Sequence, residues 1–69
     1  MTQYSVQYPD DQPTTTVEAL FGFMKHHHQA TLIALDLGQG IELNPDLEVA
    51  VPPKTRLFYI ADELSLIHI

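Results

Sequence analysis

The chain lacks the residues that build covalent staples and soft metal sites. It contains no cysteine among its 69 residues. Neither a disulfide nor a thiolate metal site can therefore stabilise it, and the composition fits a reducing compartment. A domain of this length buries only about 60% of the surface that its unfolded chain exposes. The sequence therefore indicates one small domain that would gain stability from a partner surface.

Positive charge is also scarce. Lys and Arg number 3 against 9 Asp and Glu, for a formal net charge of −6. Nucleic acids and anionic membranes both attract clustered cations, which this chain does not have. The sequence has no run of about 18 apolar residues that could span a bilayer, and its start lacks the pattern of a signal peptide. We expect no nucleic-acid partner and no direct membrane insertion.

The first half of the chain predicts a strand and a helix. The strand covers residues 4–8, where apolar side chains facing a core alternate with polar ones facing water. These are Tyr4, Val6 and Tyr8 against Ser5 and Gln7. Thr15 to Glu18 has the form of a capping box, with Thr15 accepting from the Glu18 amide. A helix then follows to about residues 26–28, and its apolar face comprises Val17, Leu20, Phe21 and Met24.

Three consecutive histidines, His26 to His28, end this helix. One interpretation is a divalent-metal or pH-sensing site. The other is a solvated helix end, where a protonated histidine interacts favourably with the helix dipole. Adjacent helical residues point about 100° apart, so the triplet cannot direct three ligands at one metal. We favour the helix end and expect no metal site.

The second half predicts an antiparallel sheet. Strands are expected at Ala30–Leu35 and Arg56–Ala61. Between them we expect a glycine turn at Gly38–Gly40, a short strand that reaches Asn44-Pro45, and a turn at Asn44. Both long strands are apolar on both faces, which is typical of a sheet covered on both sides. In the strand Ala30–Leu35, one expected face carries Thr31, Ile33 and Leu35, and the other carries Ala30, Leu32 and Ala34. One helix covers only one face, so we expect a second copy to cover the other.

These segments together resemble the C-terminal RCK subdomain, also called the TrkA-C domain. The resemblance lies in the order of an apolar strand from Ala30, a glycine turn, Asn44-Pro45 and the final strand Arg56–Ala61. One departure is Lys54-Thr55, where the family commonly has Gly-Asp. The resemblance implies an α+β fold: a small β-α-β-β-β sandwich with a mostly antiparallel sheet and one helix, spanning residues 1–63.

The resemblance also implies a function. Such domains act on the cytoplasmic side of the cell membrane as dimers that bind effectors and regulate potassium channels or potassium-uptake transporters. They follow a Rossmann-like RCK subdomain and have no catalytic activity, so we expect no enzyme and no cofactor in what looks like a fragment of a longer protein. The effector, a ligand or an ion, is not specified. The alternative is a free-standing structural or oligomerisation module without a ligand.

Three residues are the candidate ligand contacts at the groove between two copies: Ile41, Asn44 and Arg56. Asn44 offers a hydrogen-bond donor and an acceptor, and Arg56 offers a forked donor for an anionic group. The competing interpretation of Asn44 is a turn former.

The last six residues, 64–69, do not resemble family sequence. They match the translation of a transposon-end adapter used in sequencing libraries, so we expect them to be non-native.

Deleting residues 64–69 should change the free energy of unfolding by less than about 0.5 kcal/mol, as changes away from packed features do. Urea denaturation of the two lengths measures this, and a loss of several kcal/mol would identify a native strand instead.

Overall fold

The computed structural model describes residues 2–62, and the segment 64–69 lies outside that range. Its strands and helix, in chain order, are β1 Thr2–Gln7, β2 Thr15–Thr16, α1 Val17–His28, β3 Thr31–Asp36, β4 Ile41–Leu43, β5 Ala50–Val51 and β6 Arg56–Ala61. A four-stranded antiparallel sheet has the order β1-β6-β3-β4, and β2 pairs with β5 in a separate two-stranded ribbon. The prediction of an α+β fold with a mostly antiparallel sheet and one helix is confirmed. The β2–β5 ribbon was not predicted.

The first strand has the predicted alternation. Tyr4 and Val6 are half-buried, and the polar residues between and after them are exposed. Tyr8, just beyond the strand, is buried and donates its hydroxyl to the Pro13 carbonyl at 2.7 Å. β1 ends one residue earlier than predicted, at Gln7. The loop that follows is thereby attached to the core.

The predicted capping box is wrong by one residue. The helix is capped by Thr16, whose hydroxyl accepts from the Ala19 amide at 3.2 Å. The Glu18 amide instead donates to the Leu47 carbonyl at 3.0 Å, so it is not available to Thr15. The first free amides of a helix need acceptors. Here a loop that is distant in sequence supplies one of these acceptors, the Leu47 carbonyl. The local sequence around the helix start contains no sign of this partner.

The helix face is narrower than predicted. Val17, Leu20 and Met24 are buried as expected, but Phe21 is 37% exposed. Phe21 therefore lies at the margin of the packed stripe rather than within it. The helix ends at His28, as predicted, and Gln29 closes it in a left-handed conformation with φ 52°.

A β-bulge in β3 changes the predicted assignment of its faces. Leu32 lies opposite Tyr59 and Leu35 opposite Leu57, with an irregularity between Leu32 and Ala34. One extra residue on β3 reverses the alternation beyond it. Leu35 therefore joins Leu32 on the core face and is fully buried, and the prediction that it shares a face with Thr31 and Ile33 is wrong.

The core lies between α1 and one face of the sheet. Its members all come from that face, from the helix and from the adjoining loops: Tyr8, Val17, Leu20, Met24, Ala30, Leu32, Leu35, Val51, Leu57, Tyr59 and Ala61. Its largest completely buried side chains are those of Met24, Leu35, Leu57 and Val51. No described element packs on the opposite face, which we call the open face.

The cap assignment makes a stability prediction. Replacing the cap residue, Thr16→Ala, should lower the free energy of unfolding by about 1 kcal/mol because the Ala19 amide loses its acceptor. The matched change Thr14→Ala, in an exposed loop residue, should stay within about 0.5 kcal/mol. Urea denaturation followed by circular dichroism measures both. A larger loss from Thr15→Ala than from Thr16→Ala would contradict this assignment.

Candidate functional site

The open face carries the candidate site, and strand register defines its rows. In one row Arg56 of β6 lies opposite Asp36 of β3, and Asp36 lies opposite Ile41 of β4. In the next row Phe58 lies opposite Ala34, which lies opposite Leu43. Residues directly opposite each other in an antiparallel pair project to the same face. These two rows therefore share one surface.

Apolar side chains dominate part of this surface. Leu43 is 75% exposed and Ile41 is 59% exposed, whereas Phe58 and Ile60 are half-buried. We refer to Ile41, Leu43, Phe58 and Ile60 as the open-face patch. Singly exposed apolar residues are ordinary, but several gathered on one sheet face indicate an interaction surface.

Charged groups lie beside the patch. The Arg56 guanidinium donates to the Ser5 hydroxyl at 3.3 Å, across the β1–β6 pair. On its other side lies Asp36, whose carboxylate accepts from the Gly38 amide at 2.8 Å in the β3–β4 turn. Arg56 retains further donors for an anionic ligand. The Asp36 charge beside it opposes that binding.

Among the described residues, the three predicted ligand contacts do not form one cavity. Ile41 and Arg56 share a row but are separated by β3, about 10 Å apart at twice the strand spacing. Asn44 lies beyond the end of β4, about 10 Å along the chain from Ile41. All three side chains are exposed. A ligand that contacted all of them would need a surface supplied from outside residues 2–62.

Asn44 has the features of a turn residue. Its φ is 47°, in the left-handed region that Asn tolerates better than most residues. Its backbone amide donates to the Ile33 carbonyl at 2.8 Å, closing the β3–β4 hairpin at its open end. The turn-former interpretation therefore has direct structural support. The Asn44 side chain is exposed.

Sequence reasoning missed Asp36. The predicted strand ended at Leu35 and gave Asp36 no role, whereas β3 continues to Asp36 and the register shift of the bulge places Asp36 opposite Arg56. The sequence offered one signal: Asp36 directly follows one predicted strand, and Arg56 begins the last one. Cross-strand pairing of opposite charges is a common arrangement.

Two shallow hollows flank these elements. One, of about 300 Å³, is formed by the β3–β4 turn and includes Ile41 but neither Asn44 nor Arg56. The other, of about 290 Å³, lies on the helix side between Tyr8, Leu20 and Phe23. Neither joins the three predicted contacts.

The histidines lie at the helix end, as predicted. His26 and His27 are exposed and His28 is half-buried. The Phe23 ring centroid is 4.8 Å from that of His27 and 5.6 Å from that of His28. Within residues 2–62 no group of three or more histidine or acidic side chains is placed to hold a metal ion. The rings contact each other and Phe23 instead of converging on one point.

Comparison with known proteins adds no assignment. No model of a protein family, no curated protein and no solved structure matches this chain. Among the described residues no helix is long and apolar enough to cross a bilayer.

The histidine geometry predicts weak metal binding. Isothermal titration of the chain with zinc and with nickel should show no submicromolar site, since a stable zinc site needs further ligands and a second shell of hydrogen bonds. Submicromolar binding that disappears in the double variant His26→Ala, His28→Ala would overturn this interpretation.

Proposed function

We propose that this chain is a regulatory, ligand-sensing domain of a potassium channel or potassium-uptake transporter that acts as a homodimer on the cytoplasmic side of the membrane. The transport context comes from the resemblance to the C-terminal RCK subdomain. In the proposal, the remaining partners are a Rossmann-like RCK subdomain upstream and the pore of the full-length protein. The open-face patch is the observation that carries the pairing.

The one-sided core supports the proposal that two copies pair through the open face. The helix covers one side of the sheet, while Ile41 and Leu43 on the other side keep more than half of their surface exposed. Fully burying a Leu or Ile side chain contributes about 1.5–3 kcal/mol. A two-fold interface brings the same patch from both copies together, so each of these side chains contributes twice.

The effector would bind where the two copies meet. Arg56 and Ile41 border the open-face patch, so a groove between copies would offer a cation beside apolar surface. A ligand with an apolar body and an anionic group fits that combination. A ligand that prefers one dimer geometry shifts the pore equilibrium by its differential affinity for the two states.

The alternative is a dimerising module that binds no effector. Two observations favour it: Asn44 serves the β3–β4 hairpin, and Asp36 lies beside Arg56 where it opposes an anion. In this alternative the open-face patch has a purely structural role. Both functions predict pairing, and only the first predicts that pairing responds to a ligand.

The substitution Leu43→Glu tests the pairing. It should weaken self-association in sedimentation velocity at least tenfold, about 1.4 kcal/mol or more, because it removes apolar contact and places a carboxylate in the interface. The matched control is Leu47→Glu, at another exposed leucine that lies outside the sheet, at 52% exposure. The control should associate like the unmodified chain.

Two results would oppose the proposal. A strict monomer at high micromolar concentration would remove the dimer and the groove that depends on it. Equal effects of Leu43→Glu and Leu47→Glu would show that added charge, rather than the open face, controls association. The transport context is tested separately by the coding sequence upstream of Met1, which should encode a Rossmann glycine motif and transmembrane spans.

A further inference from the structure

Within the described residues, the outer side of β1 is a row of backbone groups without a neighbouring strand. Within residues 2–62 β1 has one neighbour, β6. The Tyr8 amide continues their register and donates to the Thr55 carbonyl at 2.7 Å. Successive residues of a strand direct their backbone groups to opposite sides, so residues with the parity of Tyr8 bond to β6. The residues of the other parity direct theirs outwards: Gln3, Ser5 and Gln7.

This edge lacks the features that protect sheet edges. β1 runs for six residues without a charged residue, a proline or a break in its pairing with β6. The opposite edge strand, β4, is three residues long, carries Glu42 and is bounded by Gly40 and Asn44 at positive φ. Short strands, charges and irregular ends prevent pairing between sheets. β4 has all three and β1 has none.

The β1 edge is complementary to itself. A two-fold axis perpendicular to the sheet makes an antiparallel pair and keeps the two core faces on one side. With the axis at Ser5, every outward-directed residue meets an outward-directed residue: Ser5 meets its counterpart, and Gln3 meets the second copy's Gln7. Each such pair exchanges two hydrogen bonds, giving about six in all. Shifting the axis to Tyr4 would place Gln7 opposite the second copy's Met1, which lies outside the described residues.

The side chains fit the same register. On the core face Tyr4 would lie opposite the second copy's Val6, and pairs of an aromatic and a β-branched residue stabilise sheets. Both are half-buried and pack at the margin of the core, so the pair would continue that core across the joint. On the open face the Gln3 and Gln7 amides can each donate and accept.

We infer that two copies of this chain pair antiparallel along β1, with Ser5 at the two-fold axis, and join their four-stranded sheets into one continuous sheet. A second copy is the partner that the edge fits, because its uncharged sequence matches itself in backbone bonds and in side chains. This inference is independent of the proposed function, since it rests on the β1 edge and not on the open-face patch.

Two double variants test the register through charge. In Gln3→Lys with Gln7→Lys, like charges lie opposite each other twice, whereas in Gln3→Lys with Gln7→Glu opposite charges do. Sedimentation velocity at low ionic strength should show the first variant self-associating about tenfold more weakly than the second. Repulsion between the net charges of the two copies predicts the reverse order. The Lys–Lys variant has a net charge of −4 and the Lys–Glu variant keeps −6, so the Lys–Lys copies would repel each other less.

Residue-specific hydrogen exchange by NMR gives a second measurement on the unmodified chain. The amides of Gln3, Ser5 and Gln7 should exchange at least about tenfold more slowly at high than at low protein concentration, with the Glu42 amide of the other edge unchanged. Exchange at these three amides that is independent of concentration would overturn the inference. So would equal association of the two charge variants.

Sensitivity to Leu43→Glu separates the two interfaces. Association lost in Leu43→Glu but equal in the two charge variants would support the open-face dimer and overturn the β1 pairing. Association that follows the charge pattern but ignores Leu43→Glu would support the β1 pairing and count against the proposed function. Circular dichroism of each variant confirms that the sheet and helix are retained.

Discussion

The packing of α1 against the β3–β6 pair is the interaction on which the rest of the structure depends. Met24 from the helix and Leu35 and Leu57 from the two strands are completely buried where these elements meet. With twelve residues, the helix covers one side of the sheet only. Within residues 2–62 no further helix or sheet forms a second layer on the other side, so the open face and its apolar patch are left uncovered there.

Local patterns predicted the elements whose structure is decided locally. The period-two pattern of β1, the helix from Val17 to His28 and the strand Arg56–Ala61 agree with the structure. The bulge and the β2–β5 ribbon were not predicted, and the cap was placed one residue too early, because each of these features involves residues far away in sequence. The loop carbonyl of Leu47 accepts from the Glu18 amide, and the extra residue of β3 is defined by its register against β6. A single-sequence pattern contains no record of such partners.

The same distinction applies to the candidate site. Sequence reasoning placed Ile41 and Arg56 near each other, and the register puts them in one row, but only with Asp36 between them. That intervening carboxylate changes the chemistry expected of the row. A lone arginine favours an anion, whereas an arginine beside an acid favours a ligand that carries its own donor as well. Resemblance to a family gave the candidates, and the bulge determined their neighbours.

The two proposed interfaces constrain each other through symmetry. Pairing along β1 uses an axis perpendicular to the sheet and leaves both open faces on the same side, where their patches are exposed together. Pairing through open faces uses an axis parallel to the sheet. Two such axes that intersect at right angles generate a closed four-copy assembly, and axes that miss each other generate an open one. A chain with net charge −6 repels its own copies, which disfavours unlimited growth more than it disfavours a closed assembly. The uncharged β1 edge and the apolar patch are where that repulsion is weakest.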